Sequence, residues 1–198
     1  MSSSSPLPIP GLFSPDAAVR SASGVAIYNQ GVALTSPVVS SWLANQEFSG
    51  LLQGQLATVG LAVFPETFTR IRQANGNPRL ANVPPDQDAE EFELHFPTEI
   101  SLDILTAPDA KGEGALSRFL KRFGEGIQQV EYRCTNVDRA TSILRGDFGV
   151  APVYAQARAG ADDTRINFFL VATGAGGKVL IELYEKAGSQ RDVSGVTG

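Results

Sequence analysis

Cysteine is nearly missing from this chain. Cys134 is the single one in 198 residues, so no internal disulfide can form and no zinc site built on several thiolates is available. Histidine is as scarce: His95 stands alone. Basic residues never gather into a run, and the net charge is −5. Both facts argue against nucleic acid or an anionic membrane as a partner, since each is held by clustered Lys and Arg. Long apolar runs are missing too. The longest, Val59 to Phe64, is far short of a bilayer span. The first ten residues are rich in Ser and Pro without a basic n-region, which is no secretory signal. A flexible tail over residues 1–20 and a cytoplasmic location are the expectations.

What is present suits a globular protein: 42% hydrophobic and 19% charged residues allow a buried core. Short segments of alternating apolar and polar residues read as strands at Gly24–Tyr28, Leu56–Phe64, Phe92–Phe96, Ile100–Leu105, Ile127–Cys134, Ala151–Gln156, Ile166–Ala172 and Val179–Tyr184. Three stretches read as helices. Val38–Gln46 follows Ser36-Pro37, a cap and first-turn pair, and Leu116–Phe123 puts Leu116, Phe119, Leu120 and Phe123 on one face. Val137–Leu144 has Asn136 as its cap. Asn75 to Asp88, broken by Gly76, Pro78, Pro84 and Pro85, reads as a surface loop.

The fold class is therefore α+β, with two βαβββ modules in tandem. The first module takes residues 21–110 with a loop insertion at 75–88. A connector helix takes 111–126, the second module 127–187, and a tail 188–198.

Alternation along the strands sets the candidate chemistry. Gln129, Glu131 and Arg133 share one face, and Val130, Tyr132 and Cys134 the other, where Cys134 acts as a small buried hydrophobe. Asp103 goes with Ser101, Glu182 with Tyr184, and His95 with Glu93. If these faces line a cleft, carboxylates crowd there and at least one holds its proton to higher pH. The plain alternative is a solvated sheet face, with Glu131 and Arg133 a cross-strand pattern and His95 a surface residue. Gly174 to Gly177 lacks the Lys-Ser/Thr continuation of a phosphate loop and reads as a hairpin turn.

The stretch Gly124-Glu125-Gly126-Ile127-Gln128-Gln129-Val130-Glu131-Tyr132, with the run Gly176-Gly177-Lys178-Val179-Leu180-Ile181-Glu182-Leu183, resembles the second module of the vicinal oxygen chelate superfamily. Its glyoxalase and methylmalonyl-CoA epimerase-like branch is the nearest subgroup. Ile100 to Pro108 and Leu116 to Phe123 resemble the end of the first module and the linker helix. The resemblance of the second half implies that the modules form a curved, cup-shaped mixed sheet with helices outside. It implies metal ligands at Asp103, Gln129 and Glu182, for Mg²⁺, Mn²⁺, Fe²⁺ or Co²⁺, or a metal-free site. The fourth ligand position falls on Ala22 or Thr58, depending on which strand opens the first module. It also implies an isomerase, epimerase or lyase acting on a small oxygenated substrate by proton abstraction. Glu131 or His95 would be the base, and Arg133 would pair with a substrate carboxylate. A homodimer is common in such proteins. A non-catalytic binder of the same fold, and a metal-independent isomerase or cyclase, are the rival readings.

Overall fold

The computed structural model describes residues 6–54, 57–109, 112–173 and 177–186. Its architecture is one seven-stranded mixed sheet in the order β2-β3-β1-β4-β7-β6-β5. The strands are β1 (Thr58–Ala62), β2 (Glu90–Phe96), β3 (Ile100–Thr106), β4 (Gly126–Arg133), β5 (Arg158–Ala159), β6 (Thr164–Ala172) and β7 (Lys178–Lys186). The helices are α1 (Ala17–Leu43), α2 (Gln46–Leu51), α3 (Pro65–Ala74), α4 (Ala115–Phe123) and α5 (Val137–Asp147). The halves echo one another about the antiparallel β1–β4 pair. β1 lies parallel to β3, and β4 lies parallel to β7. β2 and β6 then run antiparallel to β3 and β7. The sheet curls into a half-barrel, apolar on its outer face and polar within.

Helices α1, α3 and α5 cover the outer face, burying Val59, Leu61, Leu102, Ile104, Val130, Phe169 and Ile181. The expected strand at Gly24–Tyr28 is instead the middle of α1. Its buried residues, Ser23, Gly24, Ile27, Tyr28, Gly31, Thr35, Val39 and Trp42, follow helical spacing. The alternation of Gly24, Ala26 and Tyr28 misleads because the segment is built of small residues, whose periodicity is weak. Their smallness has a use. A Cβ at Gly24 would stand 2.3 Å from the Phe96 ring, and one at Gly31 2.5 Å from Val59 Cγ1, so the helix lies directly on the sheet.

The expected tail over residues 1–20 is also corrected from residue 6 onward. Residues Ile9–Phe13 form a 3₁₀ turn with Leu12 fully buried, and Asp16 Oδ1 caps α1 through Ala18 N at 2.8 Å. The first module therefore does not open at residue 21; its first strand is β1. Pro37 sits inside α1 rather than at a helix start, and a separate cap, Asn45, begins α2. Ala151–Gln156 is not a strand. It runs beside β6, held by Val153 N to Phe168 O at 2.7 Å and by the Asn167 side chain against Tyr154. Helix α3 was not expected; its Pro65 start and buried Phe68 and Ile71 supply the crossover that the parallel β1–β3 pair requires. The tail 188–198 and residues 174–176 of the glycine turn lie outside the described residues. Among the described residues no helix is long and apolar enough to cross a membrane.

The proline-bearing loop before β2 positions the site. Ala81 N bonds Glu91 O at 2.9 Å on the β2 edge. The same loop reaches the opposite end of the sheet. Asn82 N donates to Asp162 Oδ1 at 2.9 Å, Gln87 Nε2 to Ala159 O at 2.8 Å, and Arg79 and Asp86 pair with Asp162 and Arg158. The loop thus straps β2 to β5 across the mouth of the half-barrel.

Candidate active site

Residues paired directly across a sheet point to the same side. The register therefore draws two rows across the inner face. One runs His95, Ser101, Thr58, Glu131, Glu182 and Phe168 from β2 to β6. The next runs Glu93, Asp103, Gly60, Gln129 and Leu180. They floor a cavity of about 650 Å³, walled by Leu105, Leu116, Tyr154, Ile166 and Tyr184 and roofed in part by the strap.

Sequence reasoning placed Asp103, Gln129, Glu131 and Glu182 on inward faces, and all four line this cavity. Gln129 ties two of the others: its Nε2 donates to Glu131 Oε1 at 3.0 Å and to Glu182 Oε2 at 2.9 Å. His95 stands at the rim on the outermost strand, its side chain 71% exposed, with Nδ1 3.0 Å from Ser101 Oγ and Nε2 3.6 Å from Glu93. Arg133 lies one step further along β4, near Tyr184 and outside the cavity lining. Its Nε is buried without a partner.

The sequence did not single out three further groups. Glu91 reaches the cavity, and its signal was the alternation of Glu91, Glu93 and His95 on one strand. Tyr184, which alternation sets on the face of Glu182 without giving it a role, faces the cavity in register with Ile166. Gln128 lines it as well, because the β1–β4 pairing shifts register between Gly60 and Leu61, making Gln128 the extra residue of a bulge. Its Oε1 is buried and accepts no hydrogen bond.

Burial governs the electrostatics of these acids. The Glu131 carboxyl is pushed up to about 8, first by burial; the Gln129 hydrogen bond pulls it back, and the charges of Glu91 and Glu93 raise it again. Burial, with Asp162 and Glu93 nearby, lifts Glu91 to about 7. Asp103 and Glu182 are held well above the carboxylate range, by burial first and then by the surrounding acids. Tyr184 rises to about 12 for the same reason. At neutral pH Glu131 is therefore largely protonated, with Asp103 and Glu182 shifted in the same direction, and these carboxyls can donate hydrogen bonds and, after losing a proton, act as bases. Cys134 is fully buried on the outer face, its thiol pushed up to about 12 by burial, and takes no part.

The divalent cation implied by the resemblance does not fit these residues. Gln129 meets both neighbouring carboxyls through its NH₂, a group with no lone pair to offer a metal. Ala22 lies in α1, and Thr58 brings only a neutral hydroxyl to the fourth position. Among the described residues no three His, Cys, Asp or Glu side chains are spaced to hold a metal ion.

No family model and no curated protein sequence matches the chain. Solved structures do. A methylmalonyl-CoA epimerase from Mycobacterium tuberculosis is 32% identical, over 69% of this chain and 90% of that one, with a TM-score of 0.55. A methylmalonyl-CoA epimerase in complex with methylmalonyl-CoA and NH4+ is 23% identical, over 71% and 98%, with a TM-score of 0.55. A variant of the Streptomyces coelicolor epimerase in complex with 2-nitronate-propionyl-CoA is also 23% identical, over 71% and 99%, with a TM-score of 0.56.

Proposed function

The chain belongs to the vicinal oxygen chelate superfamily, among its glyoxalase and methylmalonyl-CoA epimerase-like members, and from that premise we propose an isomerase of the epimerase type that moves a proton beside a carbonyl group. One observation carries the reading: Asp103, Glu131 and Glu182 line one half-open cavity, where burial pushes Glu131 up to about 8 and lifts Asp103 and Glu182 well above their ordinary values. A carboxyl pushed up to about 8 is matched to proton transfer near pH 7 to 8, where both of its forms are populated.

The roles follow from position. Glu131 is the base, since it sits on the floor whereas His95 stands exposed at the rim. Glu182, its direct neighbour on β7, keeps its proton and donates to the oxygen on which negative charge gathers. Asp103 faces them from the other side of β1 and returns a proton to the carbon. Gln128 Oε1 is an unfilled acceptor in the lining and suits an O–H or N–H of the substrate.

The same lining narrows the substrate. Acids fill the interior, and the Arg79 and Arg158 guanidinium groups at the mouth are already paired with Asp162 and Asp86. A small uncharged carbonyl compound suits such a cavity better than a carboxylate or a coenzyme A thioester, whose charges need cations. Proton exchange is the test. The protein is incubated in D2O with a panel of uncharged 1,3-dicarbonyl and 2-hydroxyketone compounds, and the α-proton signal is followed by NMR. Exchange that is accelerated by the protein and lost in Glu131→Gln supports the reading. Binding of a compound without any exchange favours the rival, a non-catalytic binder of the same fold.

A further inference from the structure

We propose that Gln129 takes the place of the family's cation: its amide NH₂ clips the Glu131 and Glu182 carboxyls together, and the site works on that clip without a bound metal ion. The inference rests on the epimerase reading only for what the carboxyls do; the clip itself rests on geometry.

Glu131 and Glu182 are paired directly on neighbouring strands, with their side chains on the same inner face. Strands stand about 4.8 Å apart, so the two carboxyls lie side by side, and a group set between them can bridge the pair. A cation does this in a metal site. Here an amide nitrogen does, with one hydrogen for each carboxyl, at 3.0 Å and 2.9 Å. The amide turns its NH₂ toward both carboxyl oxygens, an assignment that NMR of the NH₂ protons checks directly.

The neighbours are consistent with this arrangement. Position 60 is glycine, and Cγ and Cδ of Gln129 occupy the space above it, while Nε2 reaches the two carboxyls on β4 and β7. Thr58, in register with Glu131, adds no charge for a metal to use. Removing the cation and installing an amide leaves O–H and N–H groups as the donors of the floor, beside acceptors such as Gln128 Oε1. The site can then polarise a carbonyl through O–H and N–H groups, without the strong field of a divalent ion.

The test observes the amide itself. In ¹⁵N-labelled full-length protein, the Gln129 NH₂ signals are assigned by their loss in Gln129→Leu and Gln129→Glu, two variants close in size. The expected result is a pair of slowly exchanging NH₂ protons. One of them shifts in Glu131→Gln and the other in Glu182→Gln, and both stay sharp when equimolar Mn²⁺ is added. The proposal is overturned if equimolar Mn²⁺ broadens the pair away in the unmodified protein and this broadening disappears in Glu182→Gln. It is equally overturned if neither glutamate variant moves the signals. Proton exchange that persists in a chain found to bind Mn²⁺ would leave the epimerase reading standing and remove only the clip. A sharp, doubly responsive pair in a chain that exchanges no substrate proton would do the reverse.

Discussion

A methyl group added at Gly60 would stand 2.4 Å from Gln129 Cγ and 3.1 Å from Leu105 Cδ1, so the bare backbone of β1 is what makes room for the amide on β4. The strand needs no unusual backbone angle there; the glycine is required by the neighbour it accommodates.

Gly60→Ala is accordingly expected to push Gln129 off its two carboxyls. Overpacking of this kind costs about 1–3 kcal/mol, and for a domain of this size each kcal/mol lowers the melting temperature by roughly 2–4 °C. Calorimetry should show a loss in that range. Proton exchange should fall along with it, because the carboxyls lose their clip.

Stability should depend on pH in the direction opposite to that of a protein rich in carboxylate ion pairs. Glu91 is lifted to about 7 and Glu131 to about 8, while the unfolded chain releases the same protons near pH 4 to 5. Between those values the folded chain binds more protons than the unfolded one. The stabilising protonated forms are complete below the unfolded values and are lost as pH rises through 7 and 8. The urea midpoint should therefore be higher at pH 5.5 than at pH 8.5, and Glu131→Gln should flatten the difference.

The two candidate bases are separable by mutation. General-base catalysis is worth typically 10²–10⁴-fold, so Glu131→Gln should reduce proton exchange by about that factor. His95→Ala removes an exposed rim residue and should leave exchange within a few-fold of the unmodified protein. Rates measured side by side in D2O decide between them.

The strap makes a separate prediction. Asp162 receives Arg79 and the Asn82 backbone N–H, and both contacts are exposed. Exposed ion pairs contribute under about 1 kcal/mol, so Asp162→Ala should barely change the melting temperature. The backbone amide of Asn82 should nevertheless exchange faster with solvent, as read by hydrogen–deuterium exchange, because its acceptor is gone.

The sequence revealed the fold best where residue pattern and fold agree. β2, β3, β4, β6 and β7 lie where the alternation puts them, and α4 and α5 where apolar spacing and the Asn136 cap put them. It failed at α1, because a helix of Ala, Gly, Ser and Val carries its packing in what it lacks; Gly24 and Gly31 matter as absent side chains. The inward acids were legible from strand alternation once the sheet was assumed to curl. Arg133 was not, since alternation gives a side but not whether a side chain reaches the hollow; its register partner Tyr184 lines the cavity and Arg133 does not. Gln128 was hidden by the bulge, a register change that no local pattern announces. The strap was visible only as a loop, because its partners Arg158 and Asp162 lie some 80 residues away in the chain.

The account turns on a cavity floor of carboxyls that keep their protons at neutral pH. The most direct measurement is a ¹³C NMR titration of carboxyl-labelled glutamate in the full chain, with Glu131→Gln to assign the resonance. The account predicts a Glu131 midpoint near 8. A Glu131 resonance that titrates with the ordinary glutamates, at about 4.3, would contradict it.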